Sequence, residues 1–194
     1  MIESFLRAPT GVVEIVADLL RLAAVFSIAA AAVWWGAPEI ALFALVLLGL
    51  LLPRFIEVRP VFDAAYGLAL LVAAWSTVVD LYTRVPGWDL VVHFSATGLT
   101  AAMTCSLLAQ AQLIPRAQDP RVTLATVIVL TASLGLALSA LWEIAEWLGH
   151  TYVDPTIFVT YDDTIGDMAA GGLGSVVAGL AMKALSLRSG TVAR

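Results

Sequence analysis

A chain of 194 residues that is 61% hydrophobic and only 13% charged, with a mean hydropathy of +0.95, carries about half the charge of an average soluble domain. It reads as a single-domain integral membrane protein, all-α, with membrane lipid as its surroundings. The net charge of -5 argues against nucleic acid as a partner, and the one cysteine, Cys105, excludes an internal disulfide.

The N-terminal stretch 1–18 carries Glu3, Arg7, Glu14 and Asp18. It lacks the basic start, short apolar core and small-residue cleavage site of a signal peptide, and is expected to lie as an amphipathic segment on the membrane surface. A bilayer core takes about 20 apolar residues per helix. Six segments meet that requirement, near Leu19–Trp35, Ala37–Leu52, Val61–Tyr82, Asp89–Leu113, Val122–His150 and Thr164–Leu187. The first two form a hairpin turning at Gly36-Ala37-Pro38. The six helices are expected to form one bundle.

Basic residues predict the orientation. Arg7, Arg21, Arg54, Arg59, Arg116, Arg121, Lys183, Arg188 and Arg194 fall on one side, leaving Arg84 alone on the other. Both termini are therefore expected in the cytoplasm. Trp34, Trp35, Tyr82, Trp88, Trp147, Tyr152 and Tyr161 fall at the opposite boundary, as an interfacial belt does.

Most carboxylates and both histidines lie toward that outer boundary. At a rise of 1.5 Å per residue, Asp80, His93, Glu143 and Asp167 each sit roughly 32–35 Å from the basic end of their helix. Charge at membrane depth needs a partner, water or a bound ion. Residues three or four apart share a helix face, which pairs Asp89 with His93, Glu143 with Glu146 and His150, and Asp163 with Asp167. Bundle metal sites use such inward-projecting pairs. The metal candidates are therefore Asp89, His93, Glu143 and Asp167, with Asp80, Glu146, His150 and Asp163 as weaker ones. Glu146 and Asp163 are also candidates for a catalytic base.

Plainer readings stand beside these. Asp162 or Asp163 suits the N-cap of the sixth helix, and Asp89 that of the fourth. Asp80 can pair with Arg84. The run from Ala169 to Gly179 suits close helix packing. Thr97, Thr100 and Thr104 form a stripe that either lines a path or bonds to its own helix. Cys105 suits a small packing role.

The segments Asp89-x3-His93-Phe94, Trp142-Glu143-x2-Glu146-Trp147 and Tyr161-Asp162-Asp163-Thr164-Ile165-Gly166-Asp167, the last leading into the glycine-rich run, resemble the YjdF-like bacterial inner-membrane proteins. They are more distantly similar to VanZ-like membrane proteins, in which an asparagine follows the final aspartate; here that position is Met168. The resemblance covers roughly residues 61–180. It implies a shared fold and polar constellation in the bacterial inner membrane. The association of VanZ-like members with glycopeptide tolerance implies a cell-envelope setting.

Three functions follow as expectations. The first is a divalent-metal site facing the periplasm or cell exterior, acting on a lipid-linked envelope substrate. The second is a cation or small-solute transporter with an acidic outer vestibule. The third is a non-catalytic envelope protein whose polar cluster is structural.

Overall fold

The computed structural model describes residues 5–56 and 58–185. Arg188, Arg194 and the end of the sixth expected span lie outside the described residues. The described chain is helical. Its elements are α1 (Val12–Trp34), α2 (Ala37–Ile56), α3 (Pro60–Val78), the single turn α4 (Leu81–Arg84), α5 (Trp88–Gln110), α6 (Leu124–Tyr152) and α7 (Tyr161–Leu185). Six of the seven are long and apolar enough to cross a membrane. They group as two compact units, one up to Leu81 and one spanning Tyr82–Leu185.

In the first unit α1, α2 and α3 pack on one another around Ala24, Ala31, Phe43, Leu50, Leu71 and Ala74. α1 starts at Val12 rather than near Leu19. Glu14 is bonded within the same stretch of chain. The Glu14 carboxylate accepts from the Thr10 hydroxyl at 3.0 Å and from the Thr10 amide, and pairs with Arg7 at 3.0 Å. A first-turn acid that reaches back to the chain before the helix is how a capping box starts one. Arg21 also lies inside α1. It bonds to Asp63 at 2.7 Å, Asp18 at 2.9 Å and the Leu50 carbonyl at 2.9 Å, while Arg54 pairs with Asp18 at 2.6 Å. One guanidinium thus ties all three helices together at the end where α3 begins. α3 stops at Val78, short of Tyr82, because Asp80 takes a left-handed backbone, φ 56°.

In the second unit α7 packs against both α5 and α6. At one end Lys183 donates to the carbonyls of Ala117 (2.8 Å), Asp119 (3.1 Å) and Val122 (2.8 Å), tying the α5–α6 connection to α7. α6 is N-capped there by Thr123, whose hydroxyl accepts from the Thr126 amide at 3.1 Å. At the other end the α6–α7 connection is an ordered turn. The Asp154 carboxylate accepts from the Thr156 hydroxyl at 2.7 Å and its amide at 2.9 Å, and these bonds hold Asp154 below the usual carboxylate range. A depressed carboxylate stabilises its turn above its ordinary pKa and loses that contribution as pH falls through the lowered one. Amide exchange at Thr156 is therefore expected to quicken only in strongly acidic solution; unchanged protection there would show that the turn does not depend on this carboxylate.

Candidate functional site

The three helices of the second unit meet along rows of residues spaced four apart. A Cβ built on Gly171 would lie 2.9 Å from Ser139 Oγ and 3.1 Å from Thr97 Cβ. So α5, α6 and α7 converge on a layer of Thr97, Ser139 and Gly171. One turn further from Lys183, each row continues with His93, Glu143 and Asp167 respectively. One turn nearer Lys183, each row continues with Ala101, Gly135 and Ser175. There a Cβ on Gly135 would overlap Ser175 Oγ and lie 3.4 Å from Ala101 Cβ. The next layer holds Cys105, Thr131 and Gly179. Cys105 Sγ lies 3.5 Å from Thr131 Oγ1, and a Gly179 Cβ would lie 3.3 Å from Thr131. Small residues every fourth position let helix backbones approach closely, and this register carries the site residues to a common level.

Asp89, His93 and Asp167 form the centre of that level. Their ligand atoms all lie within 4.8 Å of one another. His93 Nε2 is 3.3 Å from Asp89 Oδ1 and 3.7 Å from Asp167 Oδ2. A single ring proton serves only one of those oxygens well, whereas a cation between them serves all three groups. Ligands at about 2.0–2.2 Å from a tetrahedral ion lie about 3.4 Å apart, close to the separations seen. The Asp89 side chain is 25% exposed and that of Asp167 only 3%. The group is therefore reached from the helix ends and closed toward the bundle.

Glu143 is buried beside it, with the Thr164 hydroxyl next to its carboxylate. Its largest electrostatic neighbours are His93, Asp163 and Asp89. Asp163 feels chiefly Asp89 and His93. Half-buried Glu146 feels Glu143, His93 and Asp89. Five carboxylates thus surround one imidazole, and the main electrostatic neighbours of Glu143, Glu146, Asp163 and Asp167 are His93 and one another's or Asp89's carboxylates. Buried charge of one sign without a counter-ion is costly. The bonding is incomplete as well: Ser139 Oγ, Glu143 Oε1 and Asp167 Oδ1 are buried without a hydrogen-bond partner. Buried polar atoms are otherwise nearly always paired.

His150 and Asp80 are not members of the three-residue group. His150 Nδ1 lies 2.7 Å from the Ile157 carbonyl and anchors the α6–α7 connection, outside the three-residue group. Asp80 is exposed and belongs to the first unit. The N-cap of α7 is neither Asp162 nor Asp163 but Thr160, whose hydroxyl accepts from the Asp163 amide at 3.3 Å and whose carbonyl accepts from Thr164 at 3.0 Å. Nor does Asp89 cap α5, which starts after Gly87 in the left-handed region, φ 76°. That frees both aspartates for the site. Thr100 and Thr104 donate to Ala96 and Thr100 carbonyls, at 2.7 and 2.8 Å, as a self-bonding stripe does. Ser139 was not among the sequence candidates. Its signal was its place four residues before Glu143 on the same face of an apolar helix.

Comparison with known proteins adds the family. No curated protein and no solved structure matches the chain. A family model described as a predicted membrane protein (DUF2238) matches residues 12–188, which takes in all six long helices and every site residue named above. The match is consistent with the YjdF-like resemblance and gives no support to the VanZ-like one. With six helices long and apolar enough to cross a membrane, the chain belongs to the DUF2238 family of predicted membrane proteins.

Proposed function

We propose that Asp89, His93 and Asp167 bind a divalent cation, in a site that opens to the periplasm or cell exterior of a bacterial inner membrane. The observation that carries this reading is the convergence of three ligand atoms, one imidazole nitrogen and two carboxylate oxygens, within 4.8 Å of one another. Mixed imidazole and carboxylate donors suit zinc, manganese or iron. The orientation is supported by the basic residues, nine of ten of which lie at the helix ends remote from the site in the sequence's own layout, the cytoplasmic signature.

An ion so placed polarises a phosphoryl or carbonyl oxygen or activates water. A site at the depth of the outer headgroups suits a lipid-linked envelope substrate, with Glu146 or Asp163 available to take a proton. Two features favour this over transport. The rows below Ser139 are filled by Ala101, Gly135 and Ser175 in contact, and the hydroxyls of Ser175 and Thr131 are spent on their own helix carbonyls. The unpartnered oxygens of Glu143 and Asp167 weigh against a purely structural knot, which would bond its own members.

Elemental analysis of the detergent-purified protein tests the reading. Wild type is expected to retain divalent metal at one ion or more per chain. His93→Ala and Asp167→Asn are expected to fall to background while keeping wild-type helicity and elution. Equal, near-zero metal in all three would remove the metal site, and cation flux in proteoliposomes would then favour transport.

A further inference from the structure

We propose that the site is binuclear: a second divalent cation sits between Asp167 Oδ1, Glu143 Oε1 and Ser139 Oγ, with Asp167 bridging it to the ion held by Asp89 and His93. This rests on the metal reading above and extends it.

The starting point is the asymmetry of Asp167. Its Oδ2 faces His93 at 3.7 Å, whereas its Oδ1 is buried without a partner. A carboxylate has acceptor capacity on both oxygens, and here only one is addressed by the first centre. Two further oxygens share that condition. Glu143 is 7% exposed and Ser139 1%, and Asp167 as a residue is 2%. Each has one side-chain oxygen without a partner. Three orphaned oxygens, each on a side chain more than nine-tenths buried, are independent of the acidity of the cluster and point to an occupant.

Register places them on facing rows of α6 and α7. Ser139 and Glu143 are adjacent turns of one face of α6. Asp167 and Gly171 are adjacent turns of one face of α7. The Gly171 position meets Ser139 Oγ directly, with only 2.9 Å left for a Cβ. The missing side chain at Gly171 lets α7 approach α6 closely beside Ser139. The Thr164 hydroxyl beside the Glu143 carboxylate steadies one side of that group and leaves Oε1 to the space.

The donor chemistry differs from that of the first position. Asp89, His93 and Asp167 offer two oxygens and a nitrogen. The second position offers oxygens alone, two from carboxylates and one from a hydroxyl, which suits a hard cation such as Mg²⁺ or Mn²⁺. One carboxylate bridging two ions is the usual geometry of two-metal sites, with ions about 3.5–4 Å apart.

Manganese provides the test, using the full chain in detergent, stripped with chelator and dialysed against Mn²⁺. Wild type is expected to hold two Mn²⁺ per chain and to give the multiline electron paramagnetic resonance spectrum of an exchange-coupled pair. Glu143→Gln is expected to hold one and give the six-line spectrum of an isolated ion. Ser139→Ala, which removes an uncharged donor and a small volume, is expected to remain folded and to need about tenfold more Mn²⁺ to show the coupled signal. One ion per chain in wild type overturns the pair and leaves the single site standing. Two ions without coupling place the second elsewhere and overturn it too. No bound manganese overturns the pair, while the single site stands or falls on the elemental analysis above.

Discussion

Gly174→Ala is expected to lower the thermal stability of the protein and to abolish metal retention in the same step. A Cβ at Gly174 would overlap the Phe94 carbonyl, and the Gly98 position opposite leaves only 2.7 Å to the Gly174 carbonyl oxygen. Both obstacles are backbone, so no rotamer change relieves them. α5 and α7 must separate. Overpacking of this kind costs about 1–3 kcal/mol, and the upper end applies where two backbones are in contact. The same separation moves His93, next to Phe94, away from Asp167, two turns from Gly174. A melting curve of the detergent-purified variant, with its metal content, checks both effects. Alanine at this position with an unchanged midpoint and full metal would mean that the close approach of α5 and α7 does not set the site. Val177, on the same helix but half exposed to the surroundings, provides the control: Val177→Ala is expected to alter neither.

The second large effect lies in the first unit. Arg21→Met is expected to cost about 3–5 kcal/mol, the penalty for leaving buried charge without its partner. The Arg21 side chain is 11% exposed and that of Asp63 15%, and the two meet at 2.7 Å. Removing the guanidinium strands Asp63, deprives Asp18 of one of two partners, and orphans the Leu50 carbonyl. The penalty is chiefly that of the stranded carboxylate. Adding Asp63→Leu to Arg21→Met is therefore expected to recover most of the loss, because replacing a buried pair by apolar residues is often neutral. Chemical denaturation of the single and double variants measures the coupling. A double variant no better than Arg21→Met would place the cost in the Leu50 and Asp18 contacts instead. Metal retention in the second unit gives a separate readout, since Arg21 contributes nothing to it.

The amino-acid sequence by itself determined six helices long and apolar enough to cross a membrane, and how far along its helix each residue lies. Both follow from quantities that run along a helix axis: about 20 apolar residues per span and 1.5 Å per residue. His93, Glu143 and Asp167 could thus be assigned to one level, and the face shared by Asp89 and His93 read from their spacing. Local charge was harder to read. The partners of Glu14 and Asp18, Thr10 nearby and Arg54 on another helix, are not evident from hydropathy. The cap of α7 fell to Thr160 rather than an aspartate because the helix begins three residues earlier than its apolar run.

Only the tertiary structure decided which groups meet. Depth is set along an axis, but the direction a side chain faces around it depends on how helices are rotated and how closely they cross. Here those were fixed by the contacts of Gly98, Gly135, Gly171 and Gly174 with neighbouring helices. That packing joined Asp89 and His93 to Asp167, sent His150 to the Ile157 carbonyl, and buried Ser139 beside Gly171. A serine in an apolar run looks the same from the sequence whether it faces lipid or an ion. Its unpaired oxygen became visible only when three helices closed around it.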